Sequence, residues 1–288
     1  MKKIDKNKIK TWFITGASSG FGAEISRQLL ERGYNVIAVA RRIPQIDHPN
    51  ALCLSVDVTK PETIKEAINK GLERFGSIEV VMNNAGLSRK VTLEEETLES
   101  LQNVINTNLY GTFNIINAIL PYFRKQKNGT IIANSSMNGL SLRAYGTAYC
   151  SSKYAVEGLT SVCWHETKSF CRVMLVEPGF FPQTAIASKI DLNNLTQIDE
   201  YKNLKDYPQK IRNHRINDVA LAVKYIIETV EQEELPRRLI LGEDAINKIR
   251  AEIKYLNKDL KNSAKKKFLK KNKLKKLLNK LFGRKNNV

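Results

Sequence analysis

No uninterrupted apolar run approaches the roughly 18 residues that suggest a bilayer-spanning helix, so nothing in the 288 residues reads as one. Cysteine is scarce. Cys53, Cys150, Cys163 and Cys171 have no paired spacing and no C-x-x-C occurs, which argues against a disulfide framework and for reduced thiols in a cytosolic protein. The three histidines, His48, His165 and His214, lack neighbours at ligand spacing, so no metal site is expected. The opening residues are basic but have no apolar core of a secretory signal, and the expectation is a cytoplasmic chain. Acidic residues are absent from Lys261 to Val288, where twelve residues are basic. The formal net charge of +18 is therefore concentrated in the tail, and residues 1–260 hold 35 basic against 29 acidic side chains. Any argument for an anionic macromolecular partner belongs to that tail, not to the body.

What is present is ordinary globular material, 42% hydrophobic and 26% charged, which excludes collagen-like, mucin-like and wholly disordered chains. Strand-like runs recur at 12–15, 35–40, 52–56, 78–83, 130–135, 172–177 and 238–241, with helical patterns between them. Their apolarity is continuous rather than alternating, which predicts a parallel sheet covered on both faces. The expected fold is α/β: a doubly wound, Rossmann-like sheet of about seven strands in three layers, α/β/α, with a helical C-terminal extension. No Pro/Gly/Ser-rich linker interrupts it, so residues 1–10 read as a basic lead, 11–245 as one domain and 246–288 as a helix and lysine-rich tail. Thr59 and Glu62 have capping-box spacing around Pro61, which predicts a helix start there. The span 180–216 breaks the alternation at the carboxyl end of a strand and reads as a substrate loop or, alternatively, a surface insertion.

Thr15-Gly16-Ala17-Ser18-Ser19-Gly20-Phe21-Gly22 joins the first strand to a helix. Gly16 permits a sharp turn, Gly20 lets backbone approach a pyrophosphate and Gly22 lets the helix pack close to the strand. The helix N-terminus offers N–H groups to phosphate. The spacing is GxxxGxG rather than GxGxxG, and a purely structural turn is the alternative reading. The second strand ends in Ala40-Arg41-Arg42, where an NAD site usually has a carboxylate for the ribose hydroxyls. Guanidinium groups match a 2′-phosphate, so NADP(H) is favoured over NAD(H); two solvated arginines are the alternative. Asp57, ending the third strand, suits either a hydrogen bond to an adenine amino group or the capping of a turn.

Tyr149 and Lys153 are four residues apart in a helical pattern and share a face. A tyrosine with a reference pKa of about 10 is a poor proton donor near neutrality, but a cation about 5 Å away contributes roughly 3 kcal/mol, or about two pKa units. Lys153 is thus expected to bring Tyr149 into range, and Ser136 to hold a substrate oxygen. An isolated Tyr-x-x-x-Lys pair arises often by chance, so the pair needs company.

The company is a series of landmarks in order: Thr15–Gly22, Asp57-Val58, Asn83-Asn84-Ala85-Gly86, Asn108 within 106–111, Ser136 thirteen residues before Tyr149, Tyr149 to Lys153, and Pro178-Gly179. In these the chain resembles the short-chain dehydrogenase/reductase family, in its compact single-domain form, from about Thr11 to Ala245. The resemblance implies a reversible hydride transfer between a nicotinamide and a small carbonyl or alcohol substrate. It implies Tyr149 as general acid and base, Lys153 as its cation and ribose ligand, Ser136 as carbonyl-polarising group and Asn108 as anchor of a water relay to Lys153. It further implies that Asn83, Asn84, Ala85 and Gly86 shape the cofactor floor and that Pro178-Gly179 meet the nicotinamide. The family often carries a threonine five residues after that proline; here Gln183 holds the position and Thr184 follows it. A homodimer or homotetramer through the long central helices is implied as well.

Two rival functions differ in class. A cofactor-binding sensor or scaffold would be expected to lack the tyrosine or lysine, and a nucleotide-sugar epimerase would have different glycine spacing. The C-terminal region leaves its own alternatives open. Ile246, Ile249, Ile253, Leu256 and Leu260 have heptad-like spacing, which predicts a helix packed on the body or on a partner. Leu274, Leu277, Leu278, Leu281 and Phe282 form a stripe among lysines. Residues 261–288 read as a solvated extension or as a basic amphipathic helix for an anionic membrane surface; an acidic protein or nucleic acid is the least favoured partner.

Overall fold

The computed structural model describes residues 10–184, 195–202, 204 and 217–265. Seven strands, β1 (Thr11–Thr15), β2 (Asn35–Ala40), β3 (Ala51–Ser55), β4 (Val80–Asn83), β5 (Thr130–Asn134), β6 (Arg172–Pro178) and β7 (Arg238–Leu241), form one parallel sheet in the order β3-β2-β1-β4-β5-β6-β7. Each lies where the apolar runs predict, with ends displaced by at most two residues. The helices are α1 (Gly20–Glu31), α2 (Pro61–Phe75), α3 (Leu98–Ile105), α4 (Gly111–Gln126), α5 (Thr147–Thr167), α6 (Asp199–Lys202), α7 (Val219–Val230) and α8 (Glu243–Lys265).

The period of two along each strand sorts the core into two layers. Trp12, Ile14, Val36, Ala38 and Met82 pack with Ile25 and Leu29 of α1 and Val223 and Ile226 of α7. Phe13, Ile37, Val39, Val81 and Ile131 face the other way, onto Ile64 of α2 and Ile115 and Ile119 of α4. The order reverses at β1, which pairs with β2 on one side and β4 on the other, so a crevice opens beyond the carboxyl ends of β1 and β4. The four cysteines are free thiols, and burial raises the Cys163 thiol to about 11.

Two local expectations change. The Thr59–Glu62 capping box does not form: α2 begins at Pro61 behind Lys60, which makes no side-chain cap. The Thr59 hydroxyl donates instead to Asp57 Oδ1 at 2.7 Å, with the Thr59 amide on the same oxygen at 3.0 Å. The apolar stripe of α8 is used for only two turns, because Ala245 and Ile249 are buried beside Met137 while Ile253, Leu256 and Leu260 are exposed. The amphipathic stripe from Leu274 to Phe282 lies outside the described residues, as do 185–194, 203 and 205–216 of the expected substrate loop. Among the described residues no helix is long and apolar enough to cross a membrane.

β7 is tied to the sheet by charge as well as by backbone. Arg238 donates to both Glu157 of α5 and Glu177 of β6, and the Glu177 side chain is fully buried. Burial, and then the Glu157 charge, push the Glu177 carboxyl up to about 7 against the pull of Arg238. An acid raised above its unfolded value stabilises the fold while protonated, and that contribution is lost as pH climbs from about 4.5 through about 7. Glu177→Gln keeps the shape without the ionisation. Its melting temperature relative to that of the natural chain should rise between about pH 5 and about pH 8; a difference that does not change with pH would contradict the assignment.

Candidate active site

A cavity of about 660 Å³ runs along the crevice from the glycine turn after β1 to the start of α5. Its nucleotide end is shaped by glycine. Gly16 has φ +66°, and a Cβ there would lie 2.9 Å from the Ala85 Cα. At Gly22 a Cβ would sit 2.3 Å from the Gly16 carbonyl oxygen, so α1 can approach β1 this closely only without a side chain. Ser19 precedes α1 without making a side-chain cap, leaving the first-turn amides to face the cavity.

The turn is fastened from behind. The Thr15 hydroxyl accepts from the Asn84 and Ala85 amides at 2.9 and 3.0 Å. Asn84 Nδ2 donates to the Thr15 carbonyl at 3.1 Å, and Asn84 Oδ1 accepts from Asn134 Nδ2 at 2.9 Å. At the far side of the crevice Arg41 and Arg42 are exposed on the rim and Asp57 faces the cavity between them and the turn. Burial opposes the Asp57 charge, but the Thr59 bonds, with Arg41 and Lys60, outweigh it and hold the carboxyl below its ordinary value.

At the other end Ser136, Tyr149 and Lys153 meet. All three are buried and all line the cavity. Ser136 follows β5, accepts from the Asn138 amide at 3.1 Å and is hydrogen-bonded to Tyr149. Burial pushes the Tyr149 phenol up; the Ser136 hydrogen bond and the Arg143 charge pull the other way. The sequence reading gives that second task to Lys153, whereas here Arg143 supplies the opposing charge, its Cζ 5.2 Å from the centre of the Tyr149 ring. Lys153 Nζ lies 5.7 Å from the same centre and donates to the Asn134 carbonyl at 2.7 Å. Burial pushes the lysine down to about 8, with Glu157 opposing.

Of the residues singled out in the sequence, Gly16, Ser18, Ser19, Gly20, Phe21, Arg41, Arg42, Asp57, Val58, Asn84, Ala85, Gly86, Ser136, Tyr149, Lys153, Pro178, Gly179 and Thr184 line this one cavity. Thr15, Gly22 and Asn108 stand behind its wall. Asn108 lies in a π-helical turn (Asn106–Tyr110) between α3 and α4. Its side chain accepts from the Leu87 amide at 2.7 Å and donates to the Leu87 carbonyl and the Ser152 hydroxyl at 2.9 Å each. The amide thus clamps the loop after β4 onto α5. Thr184 stands across from Gly20, where a glycine Cβ would lie 3.6 Å away, while Gln183 is exposed. Phe181 packs edge-on against Phe21 with centres 4.9 Å apart, so it serves the core of the turn.

Three contributors escape sequence reasoning. Asp244, opening α8, accepts from the Phe180 amide at 2.7 Å and from Asn217 Nδ2 at 2.9 Å, which holds the loop after β6. The stretch Gly242-Glu243-Asp244-Ala245 that holds it follows β7 directly, and no spacing there assigns it a role. Lys90 and Arg143 also line the cavity, and no motif marks a cation in a chain so rich in lysine.

Comparisons with known proteins agree with this geometry. The family described as short chain dehydrogenase matches residues 10–194. A 3-ketodihydrosphingosine reductase from Bacteroides thetaiotaomicron is 35% identical over 207 residues, covering 69% of this chain and 76% of that protein. A short-chain dehydrogenase from Streptomyces avermitilis superposes with a TM-score of 0.80 at 29% identity, covering 90% of this chain and 97% of the other. An alcohol dehydrogenase from Thermococcus sibiricus, complexed with 5-hydroxy-NADP, gives 0.65 at 25% identity and covers 82% and 97%. With its seven-stranded parallel sheet, glycine turn and buried tyrosine–lysine helix in one crevice, the chain belongs to the short-chain dehydrogenase/reductase family of NAD(P)-dependent oxidoreductases.

Proposed function

We propose that the protein is an NADP-dependent carbonyl reductase and alcohol dehydrogenase in which Tyr149 moves the proton. The observation that carries this reading is that one cavity holds both the glycine turn and the Ser136–Tyr149–Lys153 group. When bound, the nicotinamide supplies or accepts the hydride. The residues present fit a dinucleotide: the Gly16 cradle and the uncapped start of α1 suit a pyrophosphate, and the cavity wall carries five cations (Arg41, Arg42, Lys90, Arg143 and Lys153) to one carboxylate, Asp57, among the described residues.

Arg41 and Arg42 end β2 where a carboxylate would repel a 2′-phosphate, and they favour NADP. Pro178, Gly179 and Thr184 form the wall for the nicotinamide end. Ser136 holds the substrate oxygen through its hydroxyl and Tyr149 donates the phenolic proton to it, or takes it back in oxidation. Lys153, 5.7 Å from the centre of the tyrosine ring, supplies a donor for ribose hydroxyls and adds positive charge at this end, while Arg143 opposes the upward shift of the phenol. Asn108 has its side chain committed to Leu87 and Ser152, so its contribution is to position that loop and the helix carrying Lys153. Tyr110 just before α4, Phe113 of α4 and Tyr154 and Val162 of α5 are exposed, which supports association through these helices.

Three measurements test the reading. Tyr149→Phe should retain NADPH binding and lose on the order of 10²- to 10⁴-fold in turnover of any carbonyl substrate; undiminished turnover would falsify the assigned role. Ketone reduction needs the Lys153 ammonium, so kcat/KM should fall as pH rises through about 8, a limb that Lys153→Met should lack. Replacing Arg41 and Arg42 together with Ala should raise KM for NADPH about 10- to 100-fold while changing KM for NADH far less. Equal changes for the two cofactors would remove the phosphate assignment.

A further inference from the structure

Helix α8 outruns the body that it starts on. Its first two turns pack where Ala245 and Ile249 lie buried beside Met137. From Ala251 to Ala264 every residue is exposed except Glu252, which is half-buried. Ile253, Leu256 and Leu260 continue the stripe that Ile249 begins, and they are 51%, 55% and 67% exposed. A helical stretch of that length is marginal in water by itself, because helices in proteins draw most of their stability from covering an apolar face. Here the body covers only the beginning of that face.

The charge beside the stripe is one-sided. Arg250, Lys254, Lys258 and Lys261 are spaced four, four and three residues apart, so they run along one flank of it, and all four are exposed. Glu252 and Asp259 share the other flank. That flank is turned to the body at Glu252: burial, and then the Glu252 charge, raise the Tyr154 phenol of α5. The cationic flank therefore lies away from α5. After α8, residues 266–288 add ten basic side chains and no acidic one.

Apolar side chains and cations exposed together narrow the choice of occupant. A second copy of this chain would set like charge against like. A nucleic acid offers phosphates to the cations but leaves the stripe in water. A bilayer surface with anionic headgroups takes both, the stripe entering the acyl boundary while the cations stay among the headgroups.

We infer that α8, from Arg250 to Lys261, is a docking helix for an anionic membrane surface, with Ile253, Leu256 and Leu260 entering the lipid and the row of cations held by the headgroups. None of these residues lines the crevice, so docking and catalysis are separable.

The experiment mixes the full chain with vesicles of phosphatidylcholine, alone or with about 30% phosphatidylserine, and reads the bound fraction by flotation. Partitioning onto the anionic vesicles should exceed that onto the neutral ones about tenfold or more, and should fall by a similar factor between about 0.05 and about 0.5 M salt. Replacing Ile253, Leu256 and Leu260 together with Gln should leave the melting temperature unchanged, as all three are exposed, and lower partitioning about tenfold or more. Replacing Arg250, Lys254, Lys258 and Lys261 with Gln should do the same. Removing residues 266–288 should weaken binding yet leave the effect of the triple substitution in place, which separates α8 from the chain after it. As a second measurement, Leu256→Trp should add emission that shifts to the blue on anionic vesicles. Equal binding to both vesicle types, no binding up to about 1 mM lipid, or an unshifted Leu256→Trp emission overturns the inference. A triple variant that binds vesicles as the natural chain does also overturns it, and if that variant changes the sedimentation coefficient, the stripe belongs to a second copy.

Discussion

The site depends on a run of hydrogen bonds laid across the carboxyl ends of three adjacent strands. The Thr15 carbonyl of β1 accepts from Asn84 Nδ2, Asn84 Oδ1 accepts from Asn134 Nδ2, and the Asn134 carbonyl accepts from Lys153. An asparagine amide is suited to such a run because it carries a donor and an acceptor on one short planar group, so each link fixes the direction of the next. The glycine turn and α5 are thereby held in one frame although 138 positions separate Thr15 from Lys153. Parallel strands in register carry the ends of the chain segments to the same edge, and the side-chain bonds fix their spacing there.

Electrostatics of the cavity follow from what that frame buries. Lys153 and Tyr149 are both desolvated, which moves each toward its neutral form, the lysine down and the tyrosine up. Two neutral groups would make a poor proton-transfer pair. The counterweights are local: Glu157, one turn further along α5, favours the ammonium, and Ser136 with Arg143 favours the phenolate. Among the described residues of the cavity wall, cations outnumber carboxylates, which gives the crevice a positive field.

Much of this was legible in the sequence, for reasons that differ by element. The strands showed as continuous apolar runs because both faces of the sheet are covered, and a pattern of that kind survives without knowledge of neighbours. The glycine turn and the tyrosine–lysine pair are local in sequence, so their spacing announces their geometry. Thr15, Gly22 and Asn108 stand among the landmarks of the sequence, but the structure puts them behind the cavity wall, since spacing alone does not distinguish a side chain facing the crevice from one bracing it. The Thr59–Glu62 cap is absent because the helix starts at Pro61 behind Lys60, one residue later than the capping pattern places it, with the Thr59 hydroxyl turned back to Asp57. Arg143 and Lys90 were invisible, as Arg143 gains its meaning from standing over the Tyr149 ring and Lys90 from feeling the Arg143 charge across 53 positions.

The C-terminal quarter of the fold completes the site rather than merely closing the sheet. Arg238 of β7 joins Glu177, at the end of β6, to Glu157 of α5, and Asp244 at the start of α8 takes the Phe180 amide just past Pro178-Gly179. A Cβ at Gly179 would meet the Asp244 carboxylate at 2.2 Å, so the loop and the helix are in direct contact. The wall opposite Ser136 and Tyr149 is thus held from two sides by carboxylates whose own positions depend on β7. A change at Glu177 or Asp244 acts through where that wall stands, so the geometry around Ser136 and Tyr149 depends on the sheet's last strand as well as on α5.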